Sequence, residues 1–157
     1  MSNSRVVGPD GTSFDVTTHG DRSDPAVMLI MGHSASKSKW SRLVHEFSGR
    51  GFFVVTWDNR GAGATRVPGQ ELFVPKADGT DIADQALFTY GDMAEDVIVL
   101  MDHFGIDSAH IAGASMGGQI ATICGIRHPS RCLSLSEFLN AIIGVASTPR
   151  ALIGEAF

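Results

Sequence analysis

The 157-residue sequence predicts an α/β fold, a mostly parallel twisted sheet with flanking helices, and three observations carry that expectation. Short continuous apolar runs, the pattern of strands buried on both faces, occur at residues 26–31 and 52–57. Segments with helical apolar spacing separate the runs, and strands alternating with helices call for parallel pairing through right-handed crossovers. The third observation is Gly113-Ala114-Ser115-Met116-Gly117-Gly118, a serine between glycines where a short apolar strand passes into a helix.

Taken in order, Gly8-Pro9-Asp10-Gly11 is a turn, and Ser13-Phe14-Asp15-Val16-Thr17 alternates like a strand with one wet face. Residues 20–25 form a polar turn before the buried strand Ala26-Val27-Met28-Leu29-Ile30-Met31. Residues 40–50 read as an amphipathic helix with Trp40, Leu43, Val44 and Phe47 on its apolar face and Gly51 just past its end. Phe52-Phe53-Val54-Val55-Thr56-Trp57 is the next buried strand, and residues 58–88, rich in Gly, Pro and Asp, read as loop.

A helix is expected to open at Asp92, with Glu95 completing a capping box. It buries Met93, Val97, Leu100, Met101 and Phe104, and Gly105 stops it. Ser108-Ala109-His110-Ile111-Ala112 is the strand before Ser115, and the helix after it ends near His128-Pro129. Arg131-Cys132-Leu133-Ser134-Leu135-Ser136 suggests one more strand, whereas residues 137–157 carry only weak patterning. No repeat or composition shift divides the chain, so residues 1–157 are read as one domain.

Composition limits the function classes. A hydrophobic content of 43% with 18% charged residues fits a folded core and argues against disorder. A formal charge of −5 without a run of Lys or Arg offers no basic face for nucleic acid and no polybasic membrane patch. The longest strongly apolar run, residues 26–31, is too short to cross a bilayer, and no apolar segment follows the N-terminus as in a secretory signal. A cytoplasmic location is the resulting expectation. Cys124 and Cys132 read as reduced thiols, and the histidines lack metal-site spacing, so neither a metal nor a cofactor is expected.

Ser115 is the candidate nucleophile. A serine at a sharp strand–helix turn sits in a strained backbone conformation, and glycines two residues either side let strand and helix pack closely. A free serine hydroxyl is a poor nucleophile and needs a base to take its proton. Asp58 and Arg60 form a tempting charged pair, but their turn is read as architectural. Asp92, Glu95 and Asp96 read as helix-start acids that complement the helix dipole. His45 and His103 fall within helices, and His110 lies at the end of its strand away from Ser115.

Four segments together carry a family resemblance. They are Leu29-Ile30-Met31-Gly32-His33-Ser34-Ala35-Ser36, Trp57-Asp58-Asn59-Arg60-Gly61-Ala62-Gly63, Tyr90-Gly91-Asp92-Met93-Ala94-Glu95-Asp96, and the glycine-flanked Ser115. In this order and spacing the chain resembles the N-terminal half of an α/β-hydrolase core, and within that family the small-ester hydrolases of the aclacinomycin methylesterase kind. Cofactor-free haloperoxidases are more distantly similar. The resemblance implies a serine hydrolase of carboxylic esters working through an acyl-enzyme, with a small-molecule ester as substrate. It implies an oxyanion hole made by the backbone N–H of Met116 and that of His33, with Gly32 allowing close approach and the His33 ring lining the pocket. It argues against the haloalkane and epoxide hydrolases, which generally employ an aspartate nucleophile.

The same resemblance places the catalytic acid and histidine after the serine. Only 42 residues follow Ser115, and they offer Glu137, Glu155 and His128. His128 is expected roughly 18–20 Å from Ser115 along a helix axis, too far to act as base. The chain therefore reads as a partial domain, truncated before the family's cap and C-terminal strands, with little activity of its own. Two other readings stand beside this one. The chain could be an inactive binding or oligomerising module on a hydrolase scaffold, self-associating through an exposed sheet edge, or a perhydrolase of the haloperoxidase kind using the same serine.

Overall fold

Alternating side chains on a fully apolar strand must find cover on both faces, and the central strands show how this chain provides it. The computed structural model describes residues 1–69 and 88–138. Its strands are β1 (Ser2–Val7), β2 (Ser13–His19), β3 (Ala26–Ile30), β4 (Phe53–Trp57), β5 (Ala109–Ala114) and β6 (Cys132–Phe138). The helices are α1 (Ser41–Ser48), α2 (Tyr90–Phe104) and α3 (Met116–Arg127). They build a six-stranded sheet in the order β1-β2-β4-β3-β5-β6. The pairs β4–β3, β3–β5 and β5–β6 are parallel, whereas β1–β2 and β2–β4 are antiparallel.

Strand β3 sends Ala26, Met28 and Ile30 to one face, where Met93, Val97, Leu100 and Met101 of α2 and Ile120, Ala121 and Cys124 of α3 cover them. Val27 and Leu29 face the other side, against Trp40 and Val44. Right-handed crossovers account for this division. The connection β3–α1–β4 runs one way along the sheet, and β4–α2–β5 and β5–α3–β6 run the other way, so α1 lies on the opposite face from α2 and α3. Strand order therefore reverses between β3 and β5, and the crevice outside their C-terminal ends is where open α/β sheets bind ligands.

Several expectations need correction. Residues 2–7 form an edge strand that composition alone did not announce; its side chains are mostly exposed, and only Val6 is fully buried. The capping box of α2 lies one turn earlier than predicted. Thr89 is the N-cap and Asp92, not Glu95, is the reciprocal acid, with Asp92 Oδ2 accepting from Thr89 N at 2.6 Å and Thr89 Oγ1 accepting from Asp92 N at 3.1 Å. The helix after Trp40 is shorter than expected: residues 37–40 wind as a 3-10 turn before α1 begins, and α1 ends at Ser48 with Gly49 as its C-cap. Residues 58–69 are loop, as expected. The rest of that expected loop, residues 70–87, and the weakly patterned residues 139–157 lie outside the described residues.

Candidate active site

Strand β5 leads directly into α3, and the residue at the junction has φ 53° and ψ −121°. That residue is Ser115, one of two non-glycine residues with positive φ among the described residues. Such a conformation costs on the order of 1–3 kcal/mol and persists only where its surroundings enforce it. The enforcement is visible on both sides. A Cβ at Gly113 would lie 2.0 Å from the Gly117 carbonyl oxygen, and one at Gly117 would lie 2.2 Å from the Ile30 carbonyl oxygen. Strand β5, helix α3 and the end of β3 thus meet backbone to backbone. Ser115 N–H donates to the Phe138 carbonyl at 2.8 Å, and Gly118 N–H donates to the Ser115 carbonyl at 2.8 Å.

The Ser115 side chain makes no capping bond to α3, although serine is a favoured cap. The residue is exposed at the C-terminal edge of the parallel strands. Met116, the first residue of α3, is buried, and the positive end of the helix dipole lies beside the serine.

The second wall comes from residues 31–36, which follow β3. A Cβ at Gly32 would meet the Ala114 carbonyl oxygen at 3.0 Å and Ser115 Cβ at 3.2 Å, so this loop lies against the turn that holds Ser115. The loop turns through Ser34, the other residue with positive φ (54°), and Ala35 N–H donates to the Gly32 carbonyl at 3.4 Å. His33 is exposed. Among the described residues, none of the turn, loop and cap hydrogen bonds uses the amide N–H of His33 or of Met116.

The turn after β4 holds this loop in place. Asn59 Nδ2 donates to the Met31 carbonyl at 2.7 Å, in a buried bond two residues before His33. The buried Asp58 carboxylate accepts from Lys37 N at 2.8 Å and from Ala64 N at 2.8 Å. Lys37 Nζ reaches both Asp58 Oδ2, at 3.7 Å, and the Asp15 carboxylate on β2. Gly63 has φ +50°, and a side chain there would overlap the Asp58 carboxylate. Asp58 is therefore architectural, as its turn suggested.

Arg60 is architectural in a way the sequence did not reveal. Its guanidinium makes two bonds of 2.6 Å to the carboxylate of Asp96 and a third of 2.6 Å to Asp10. Burial works against the Arg60 charge, but the bonds to Asp96 and Asp10 more than reverse that, and its pKa lies above the usual arginine value. Burial pushes the Asp96 carboxyl up to about 6, with Arg60 pulling the other way. Asp96 is therefore no exposed helix-start acid. It is a buried anchor that ties α2 to the turn after β4.

The late histidine does not come to Ser115. His128 is the C-cap of α3, at the opposite end of the helix from Ser115, and its Nε2 sits 3.0 Å from Glu95 Oε1. Glu137 hydrogen-bonds to the Thr122 hydroxyl. His110 lies near the N-terminal end of β5, its Nδ1 at 2.8 Å from Ser134 Oγ. Glu155 lies outside the described residues. No group of three His, Cys, Asp or Glu among the described residues is placed to hold a metal ion. No described helix is long and apolar enough to cross a membrane.

Comparison with known proteins agrees with this architecture. The family model described as alpha/beta hydrolase fold matches residues 25–136. The rhodomycin D methylesterase DauP of Streptomyces sp. (strain C5) is 28% identical over 96% of this chain and 48% of its own length. The 3-oxoadipate enol-lactonase 2 of Acinetobacter baylyi is 31% identical over 92% of this chain and 44% of its own. Among solved structures, a membrane phospholipase A described as a bacterial virulence factor superposes with a TM-score of 0.74 at 30% identity, covering 89% of this chain and 40% of that one. The chain thus spans just under half the length of the curated relatives it matches.

Proposed function

Because the chain belongs to the alpha/beta hydrolase fold family, we propose that it carries the nucleophile and the oxyanion site of a serine hydrolase acting on small carboxylic esters. The single observation that carries this reading is the strained, exposed Ser115, with its side chain left uncapped. In the proposed reaction Ser115 Oγ attacks the ester carbonyl carbon while a base removes the hydroxyl proton. The carbonyl oxygen becomes an oxyanion held by the backbone N–H groups of Met116 and His33. The C–O bond to the alcohol then breaks, the proton passes to the departing alcohol, and an acyl-serine remains for water to hydrolyse. Each oxyanion donor contributes about 3 kcal/mol to the transition state. The same serine would serve a perhydrolase; methylesterase and lactonase relatives favour ester chemistry.

The base is the part of this reaction that the described residues do not supply, since His128 and Glu137 are engaged elsewhere. An oxyanion site and substrate binding without a triad base still give roughly a thousand-fold acceleration over water. A diffusible base can then stand in. With 4-nitrophenyl acetate and added imidazole, which cleaves this ester by itself, the chain should show a rate increment above the same imidazole solution without protein, and Ser115→Ala should abolish it. An increment that survives in Ser115→Ala contradicts the proposal.

The non-catalytic reading has one observation in its favour. Strand β6 lies at an edge of the described sheet, and Leu133, Leu135 and Phe138 on it are exposed, as is Ile126 of α3. We propose self-association through this edge as a property that can accompany ester chemistry.

A further inference from the structure

The end of α3 remote from Ser115 holds a pair of thiols that ester chemistry does not use. Cys124, in the last turn of α3, is fully buried in the core between sheet and helices. Cys132, the first residue of β6, packs against the same cluster and keeps part of its surface accessible. The chain returns between them in one tight turn. His128 N–H donates to the Cys124 carbonyl at 2.8 Å, and Arg131 N–H donates to the His128 carbonyl at 2.9 Å. Both thiols therefore belong to one packed region, Cys124 inside the cluster and Cys132 against it, with a single tight turn of chain between them. Arg131 is fixed beside them by bonds to the carbonyls of Ile106 and Asp107 and to the Asp102 carboxylate.

We propose that Cys124 and Cys132 form a reversible dithiol–disulfide pair, with hydrogen peroxide as oxidant, Cys132 as the sulfur that reacts first and Cys124 as the resolving thiol. The accessible Cys132 thiolate attacks one peroxide oxygen, the O–O bond breaks, and the departing hydroxide takes up the thiol proton as water. Cys132 is then a sulfenic acid, oxidised by two electrons. Cys124 sulfur attacks the sulfenic sulfur, the S–S bond forms, the S–O bond breaks, and hydroxide leaves with the Cys124 proton as a second water. A dithiol reductant restores both thiols by exchange. The bond would staple the far end of the helix that carries Ser115 to the edge strand.

The surroundings set the rate. Burial pushes the Cys124 thiol up to about 12, further raised by its contact with Cys132. Burial also raises Cys132, while the bond from Cys124 and the charge of Arg131 pull it back. The other charged groups nearby are Glu95 on α2, which faces Cys124, and its partners His128 and Arg127. Both thiols are therefore protonated at neutral pH, and oxidation quickens as the pH rises and Cys132 ionises.

The test is peroxide treatment of the folded chain at mildly alkaline pH with dimedone present, then alkylation, digestion and mass spectrometry. The expected result is an intramolecular Cys124–Cys132 cross-link with loss of both free thiols, restored by dithiothreitol. In Cys124→Ser, dimedone should capture Cys132; in folded Cys132→Ser, Cys124 should stay unmodified and become reactive only in urea. The proposal is overturned if, after peroxide treatment, both thiols are alkylated once the chain is unfolded in urea, or if the only disulfides join two chains. It is equally overturned if dimedone captures Cys132 as fully in the wild type as in Cys124→Ser.

Discussion

At the scale of single residues, Ser115 shows how a local conflict points to function. A serine forced to φ 53° pays in strain for a position that glycine would occupy freely. Ser115→Gly should therefore fold more stably than Ser115→Ala by about 1 kcal/mol, since glycine's extra unfolded-state freedom offsets only part of the relieved strain. Urea unfolding of the two variants checks this, and equal midpoints would mean the turn is not strained. The glycines at 113 and 117 were legible from spacing alone, because a Cβ at either would come within 2.0 or 2.2 Å of a neighbouring carbonyl oxygen. The role of Asn59 was not legible. Its bond to the Met31 carbonyl joins residues 28 apart in sequence, and no local pattern encodes such a pairing.

At the scale of elements, local sequence signals placed the strands well and their ends less well. The runs that became β3 and β4 were unmistakable because every side chain is buried. Strand β1 escaped notice because it is held by pairing with β2 rather than by its own apolar pattern. Asp96 escaped for a related reason: it sits on the buried face of α2, and only the folded structure brings Arg60 to it. That pairing makes a pH prediction. Burial raises the Asp96 carboxyl from its unfolded value of 3.8 to about 6, so between these values the folded chain binds more protons than the unfolded one. Stability contributed by this group is then greatest below about pH 4 and falls as the pH rises toward 6, by up to about 3 kcal/mol. Asp10 has its carboxyl lowered, burial opposing and its bonds to Thr12 and Arg60 prevailing, and works in the opposite sense. The difference between wild type and Asp96→Asn isolates the Asp96 contribution. Denaturant unfolding from pH 4 to pH 7 should show wild type losing stability relative to the variant. A relative gain would mean that Arg60 outweighs burial.

At the scale of the whole molecule, the sheet topology explains where the chemistry sits. The reversal of strand order between β3 and β5 opens a crevice at their C-terminal ends, and Gly32 and Ser115 meet there. At the edge, Leu133 and Leu135 are exposed on β6, a surface of the kind that pairs with another chain. Replacing both with Lys should shift the chain toward monomer in size-exclusion chromatography, and an unchanged elution volume would remove β6 from the association surface. The order of segments along the sequence made this architecture readable, whereas the base and acid could not be read, because His128 folds to the far end of α3 and Glu155 lies outside the described residues. The most direct measurement is covalent: treat the folded chain with a fluorophosphonate probe, imidazole being added as the base, and map the adduct by peptide mass spectrometry. A phosphonylated Ser115, absent from Ser115→Ala, is the predicted result; an unmodified Ser115, or labelling unchanged by the substitution, would contradict the assignment.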